Sequence, residues 1–201
     1  MKKVLIGSAL LLSVAATSAF AAPKWDQITG TYSAFDIDFD GFKVDFTGFG
    51  LSGTKLVTPN LFVEGSLSTV SEDETGDELL SFNELSLGLG YRHSISATTD
   101  IFGVVSYEDA EVEAEDETAS ESGYGLKAGI RSMVSPKVEL AAEVKYVDIE
   151  DVDNATFAVS GDYFFTPQFS VGASYSTGLN VFSELIEEDF NTLNFSASYS
   201  F

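Results

Sequence analysis

Cysteine is absent from the 201 residues, so no disulfide framework supports the fold. Basic residues are scarce as well. Ten Lys and Arg stand against 32 Asp and Glu, a formal charge of −22. A chain this acidic is repelled by nucleic acid and by bare anionic membrane surfaces. Histidine occurs once, as His93, so the residue most used for proton transfer near neutral pH is nearly missing. Long hydrophobic runs are missing too. Only Val4 to Ala16 is predominantly apolar over such a length, and nothing after it could cross a bilayer as a helix. Aromatic residues, in contrast, are plentiful: 17 Phe and 8 Tyr argue against disorder whatever the charge suggests.

The apolar run belongs to a processing segment. Lys2 and Lys3 precede it, and Ala19-Phe20-Ala21 offers small residues where signal peptidase reads, so residues 1–21 are expected to be a signal peptide cleaved after Ala21. Residues 22–201 are then a single domain.

That domain is organised as hairpins. Thr58-Pro59-Asn60, Ala97-Thr98-Thr99, Ser135-Pro136-Lys137 and Thr166-Pro167-Gln168 recur along it, and proline presets φ for a tight turn while barring continuation of a central strand. Between these turns apolar and polar residues alternate with a period of two, the mark of a strand with one greasy face. Leu85, Leu87, Leu89 and Tyr91 oppose Glu84, Ser86 and Arg92; Val138, Leu140, Ala142 and Val144 oppose Glu139, Glu143 and Lys145. The strand from Ile101 is apolar on its second face as well, through Phe102 and Val104. Near Phe42–Leu56 the parity changes between Phe46 and Phe49, which predicts a bulge around Gly48. Ten strands result, or eight if the irregular N-terminal pair is not two full crossings. An even number brings both ends to one side, as a closed antiparallel up-and-down transmembrane β-barrel requires. The last strand, Asn191–Phe201, should pair with the first, leaving no free edge.

Long connections near 37–41, 71–79, 109–122, 149–154 and 179–190 alternate with the short turns and, with their strand edges, hold most of the acidic residues and no Lys or Arg. Outer-membrane barrels put short turns in the periplasm and long loops outside. The charge is therefore polarised along the barrel axis, with Lys24, Lys55, Arg92 and Lys137 near the turn end.

The terminal strand ending in Tyr199-Ser200-Phe201, the Leu85–Arg92 strand and Tyr163-Phe164-Phe165-Thr166-Pro167 resemble the small OmpA-like and OmpX-like outer-membrane barrels, the porin-family proteins of Gram-negative bacteria. The resemblance covers residues 22–201 as architecture. It implies an outer-membrane location and a terminal signal, here Phe195, Tyr199 and Phe201, read by the barrel-assembly machinery. It does not name an activity, because such barrels serve as structural proteins, adhesins, pores and enzymes.

Catalytic chemistry finds little footing. His93 follows Arg92 at a periplasmic turn, away from the outer rim, and no Gly-x-Ser-x-Gly elbow exists. A non-enzymatic protein without a cofactor is expected. Asp36-Ile37-Asp38-Phe39-Asp40-Gly41 opens like a calcium loop, yet Thr47 stands at its final ligand position. Loose divalent bridging to lipopolysaccharide phosphates suits the acidic loops better than a dedicated site. Glu64, Glu84, Arg92, Glu108, Lys127, Arg131, Glu139, Glu143 and Lys145 should face the lumen, since Lys or Arg on the lipid face costs about 2–4 kcal/mol at mid-bilayer. There they form either a salt-bridge network that plugs the barrel or the lining of a narrow, cation-preferring pore, and the size of the interior favours the plug. Lipid, lipopolysaccharide and the assembly machinery are the expected partners of a monomer.

Overall fold

A computed structural model describes residues 22–39, 42–72, 81–114, 117–149, 152–179 and 191–201. Ten strands follow one another: β1 (Gln27–Phe39), β2 (Phe42–Leu56), β3 (Leu61–Glu72), β4 (Ser81–Ser94), β5 (Thr99–Ala114), β6 (Glu117–Ser135), β7 (Val138–Ile149), β8 (Val152–Phe164), β9 (Phe169–Gly178) and β10 (Asn191–Ser200). Each pairs antiparallel with its neighbours in the chain, and β1 pairs with β10 to close the barrel. The ten-stranded reading holds, and the eight-stranded alternative falls.

The Thr-Pro turns carry their own caps. Thr58 Oγ1 accepts from the N–H groups of Asn60 and Leu61, and Thr166 Oγ1 accepts from those of Gln168 and Phe169. This hydroxyl substitutes for a ladder bond while proline holds φ, so each strand reverses within a few residues.

Three of the long connections are mostly strand. β1 and β2 stay paired as far as Phe39 and Phe42, β5 and β6 as far as Ala114 and Glu117, and β7 and β8 as far as Ile149 and Val152. Alternation in Glu111-Val112-Glu113 continues the two-residue period past the membrane, so acidity there marks solvation and not a break in pairing. Asp36 and Asp38 accordingly lie on extended backbone; their side chains, with Asp40 and Gly41, are outside the described residues.

The bulge is not at Gly48. β2 pairs in unbroken register through Phe46, Gly48 and Phe49 with both β1 and β3. Phe46 is buried at 5% exposure because it points into the lumen, while Phe49 is 65% exposed on the outer wall. An inward phenylalanine imitates a change of parity. The register shift occurs between Met133 and Ser135, where β6 enters the turn to β7.

The outer wall is an apolar belt. Leu51, Leu67, Leu87, Leu89 and Val105 are each at least 56% exposed, far more greasy surface than water tolerates and what a bilayer covers. At the closing seam the Phe201 N–H donates to the Asp26 carbonyl at 3.1 Å, and Lys55 Nζ lies 3.1 Å from Asp26 Oδ2 and 4.7 Å above the Phe201 ring. Partial burial pushes the Asp26 carboxyl up, but the Leu56 N–H and the Lys55 ammonium outweigh it and hold the group below its ordinary value. A lowered folded-state value stabilises above the unfolded pKa and is lost as pH falls through the folded one. Asp26→Asn should therefore lower protection of the Phe201 amide near neutral pH and remove the acid-dependent part of that protection, as read by hydrogen exchange.

Candidate functional site: the barrel lumen

Inward positions carry the ionisable groups. Lys127 Nζ on β6 reaches Glu64 on β3, with Oε1 at 2.7 Å, and so forms a chord across the lumen. Lys145 on β7 meets Glu108 on β5 at 2.9 Å, and that carboxylate also accepts from Ser86 and Ser106. Nearer the periplasm, Arg131 Nη2 lies 2.6 Å from Glu139 and Arg92 Nη1 lies 2.8 Å from Asp100. Charges in a low-dielectric interior persist when each has a partner and further hydrogen bonds. Glu84 stands higher and exposed, with Ser68 Oγ 3.4 Å away. Glu143 is half-buried and joins no ion pair among the described residues. His93 is exposed near the end of β4. Phe195, Tyr199 and Phe201 are all more than half exposed, the first two along the outward face of β10.

The centre of this site escaped sequence reasoning. Trp25, just ahead of β1, turns into the lumen and is 3% exposed. Its indole N–H crosses to the far wall and donates to Asp100 Oδ2 at 2.7 Å. One side of the ring packs with Phe62 and Phe102, at centroid separations of 4.5 and 5.4 Å. The Arg131 guanidinium sits 4.7 Å from the ring centroid, a cation–π contact whose charge is also held by Glu139. Aromatic rings and a guanidinium therefore fill the periplasmic end, where a ten-stranded interior would otherwise leave room.

Glycine makes that filling possible. Phe62 stands opposite Gly90, and a Cβ on Gly90 would lie 2.1 Å from the Phe62 ring. Glu108 likewise lies over Gly125, where a Cβ would come within 2.4 Å of its Oε1. The readable signal was this pairing of a large inward residue with glycine on the adjacent strand. Asp100 gave no such signal, because its indole donor is 75 residues away in sequence.

Closure of the sheet, an apolar outer wall and a charged interior describe a membrane barrel, and residues 7–163 match the family model of the outer membrane protein beta-barrel domain. The chain belongs to this family. As a member it resides in the bacterial outer membrane, crossing it with strands. No curated protein sequence matches it. Among solved structures, an outer membrane channel from Pseudomonas putida F1 aligns over 94% of this chain and 100% of its own, at 13% identity and a TM-score of 0.50. Ail, the attachment invasion locus protein of Yersinia pestis, aligns over 89% and 100%, at 17% identity and a TM-score of 0.43. Likeness at such identities is a likeness of fold. The outer membrane protein beta-barrel family therefore fixes where this chain works, and its lumen must be read for what it does.

Proposed function

We propose that this family member is a non-conducting, non-enzymatic barrel that contributes to envelope structure and to contacts at the cell surface. The observation that carries this reading is Trp25, held across the periplasmic end between Phe62 and Arg131 and hydrogen-bonded to Asp100. A solute would have to displace a buried indole and break its bond to Asp100. Burial of a large apolar side chain is worth about 1.5–3 kcal/mol, and the added ring contacts about 0.5–1.5 kcal/mol each.

In this reading the four lumenal ion pairs are struts, not a binding site, and no cofactor is used. Phe195, Tyr199 and Phe201 serve insertion by the barrel-assembly machinery. The acidic outer hairpins meet lipopolysaccharide through loosely held divalent cations, and the barrel acts as a monomer after removal of residues 1–21.

Single-channel recording tests the seal. The wild-type protein should be silent in planar bilayers, whereas Trp25→Ala combined with Phe62→Ala should pass small cations in preference to anions, because the interior and outer mouth are rich in carboxylates. Steady cation-selective conductance from the wild type would favour the narrow pore instead.

A further inference from the structure

The chain ahead of β1 does not trail away from the barrel. Pro23 and Trp25 are buried and Lys24 is half-buried, so these residues enter the periplasmic mouth. The Lys24 N–H donates to Glu139 Oε2 at 3.3 Å. This bond anchors the segment beside two carboxylates, because Glu139 on β7 stands directly opposite Asp162 on β8.

Pairing is incomplete there. Arg131 directs both Nε and Nη2 to Glu139 Oε1, at 2.7 and 2.6 Å. Arg92 is committed to Asp100. Asp162 is half-buried over Gly172 and has no hydrogen bond and no ion pair among the described residues. Both guanidinium groups are thus spent on Glu139 and Asp100, and the Lys24 and Lys137 ammonium groups at this end join no ion pair among the described residues. A carboxylate withdrawn from water without a paired cation is costly, so Asp162 lacks a partner cation.

We propose that the missing cation is the chain's own α-ammonium, created by cleavage after Ala21 and seated against Asp162 and Glu139. Ala22 lies two residues before Lys24, a reach of about 7 Å in extended chain, and it is exposed at the mouth. An α-amine titrates at about pH 7.7–8.0 in model peptides, so most of it is charged at pH 7. Before cleavage the same nitrogen is an uncharged amide. Removal of the leader therefore completes the periplasmic plug as well as releasing the chain. The inference rests on cleavage after Ala21 and stands whether or not the lumen conducts.

Proteolysis of the refolded barrel in detergent tests it, because trypsin can cut after Lys24 only when the segment leaves the mouth. Protein extracted from outer membranes should begin at Ala22 by mass spectrometry. Refolded chains starting at Ala22 should be cut after Lys24 about five- to tenfold more slowly with a free α-amine than with an acetylated one, the range of a charge-assisted contact partly open to water. Asp162→Asn should erase most of that difference. If Asp162→Asn fails to fold, the free and acetylated wild-type chains still decide the matter. A different N-terminus, equal cutting of the free and acetylated chains, or an undiminished difference in Asp162→Asn would overturn the proposal.

Discussion

Gly90→Val is expected to keep most of the refolded protein from closing, seen as loss of the heat-modifiable shift in gel mobility and a lower urea midpoint in whatever fraction closes. Gly90 faces inward on β4, and even a Cβ there would fall 2.1 Å from Phe62 Cζ. The ring cannot step aside. Phe62 is fully buried, with Trp25 4.5 Å away by centroid and Phe102 6.4 Å away. Overpacking of a filled core typically costs about 1–3 kcal/mol, and this site lies at or beyond the upper end because neighbours close the space on every side. Such a loss is a large part of the roughly 5–15 kcal/mol that keeps a domain folded. Phe62→Ala should restore closure to Gly90→Val, since it removes the ring that the new side chain strikes. Gly30→Ala is the control: it faces outward, and a Cβ there meets nothing within 4 Å, so its midpoint should match the wild type. A wild-type midpoint for Gly90→Val would mean that Phe62 does not lie over Gly90.

The outer wall of this barrel could be read from the chain alone, and the physical reason is the solvent. Lipid demands an apolar residue at every second position over a whole crossing, so Leu85, Leu87, Leu89 and Tyr91 announce their face without knowledge of any partner. The closing pair of β1 and β10 followed from the same logic, because a membrane strand cannot leave an edge unpaired. The lumen obeys no such rule. It accepts apolar and charged residues alike, so long as they fit each other. Phe46 was therefore mistaken for an outward residue displaced by a bulge. Phe102 and Val104 showed only as a second apolar face, with nothing to say that Trp25 lies against them. The acidic hairpins hid a different fact: water permits either strand or loop, and composition does not separate the two. Register recovers part of what periodicity loses. Once β3 and β4 are paired, Phe62 falls opposite Gly90, and a large residue facing glycine marks a filled interior.

Asp100→Ala is expected to destabilise the barrel by about 3–5 kcal/mol, the usual cost of stranding one member of a buried ion pair. Asp100 is 1% exposed and gathers three donors: Trp25 Nε1 at 2.7 Å, Arg92 Nη1 at 2.8 Å and Ser94 Oγ at 2.6 Å. Alanine leaves all three without that acceptor. Arg92 keeps only its Nε bond to the Pro59 carbonyl, and its charge then faces the Trp25 ring uncompensated. Asp100→Asn should cost less, because an amide oxygen in place of Oδ2 can still accept from Trp25 and Arg92 while the charge is lost. The replacement of both partners, Arg92→Met with Asp100→Leu, should recover much of the loss, since no charge is left buried alone. Trp25→Phe separates the indole bond from the ring packing. Its coupling to Asp100 in a double-mutant cycle should come to about 1.5–3 kcal/mol, the worth of a hydrogen bond to a charged group. Urea midpoints of the refolded proteins give each of these numbers. A coupling near zero would show that the indole is held by its ring neighbours alone, and that Asp100 serves Arg92 and not the plug.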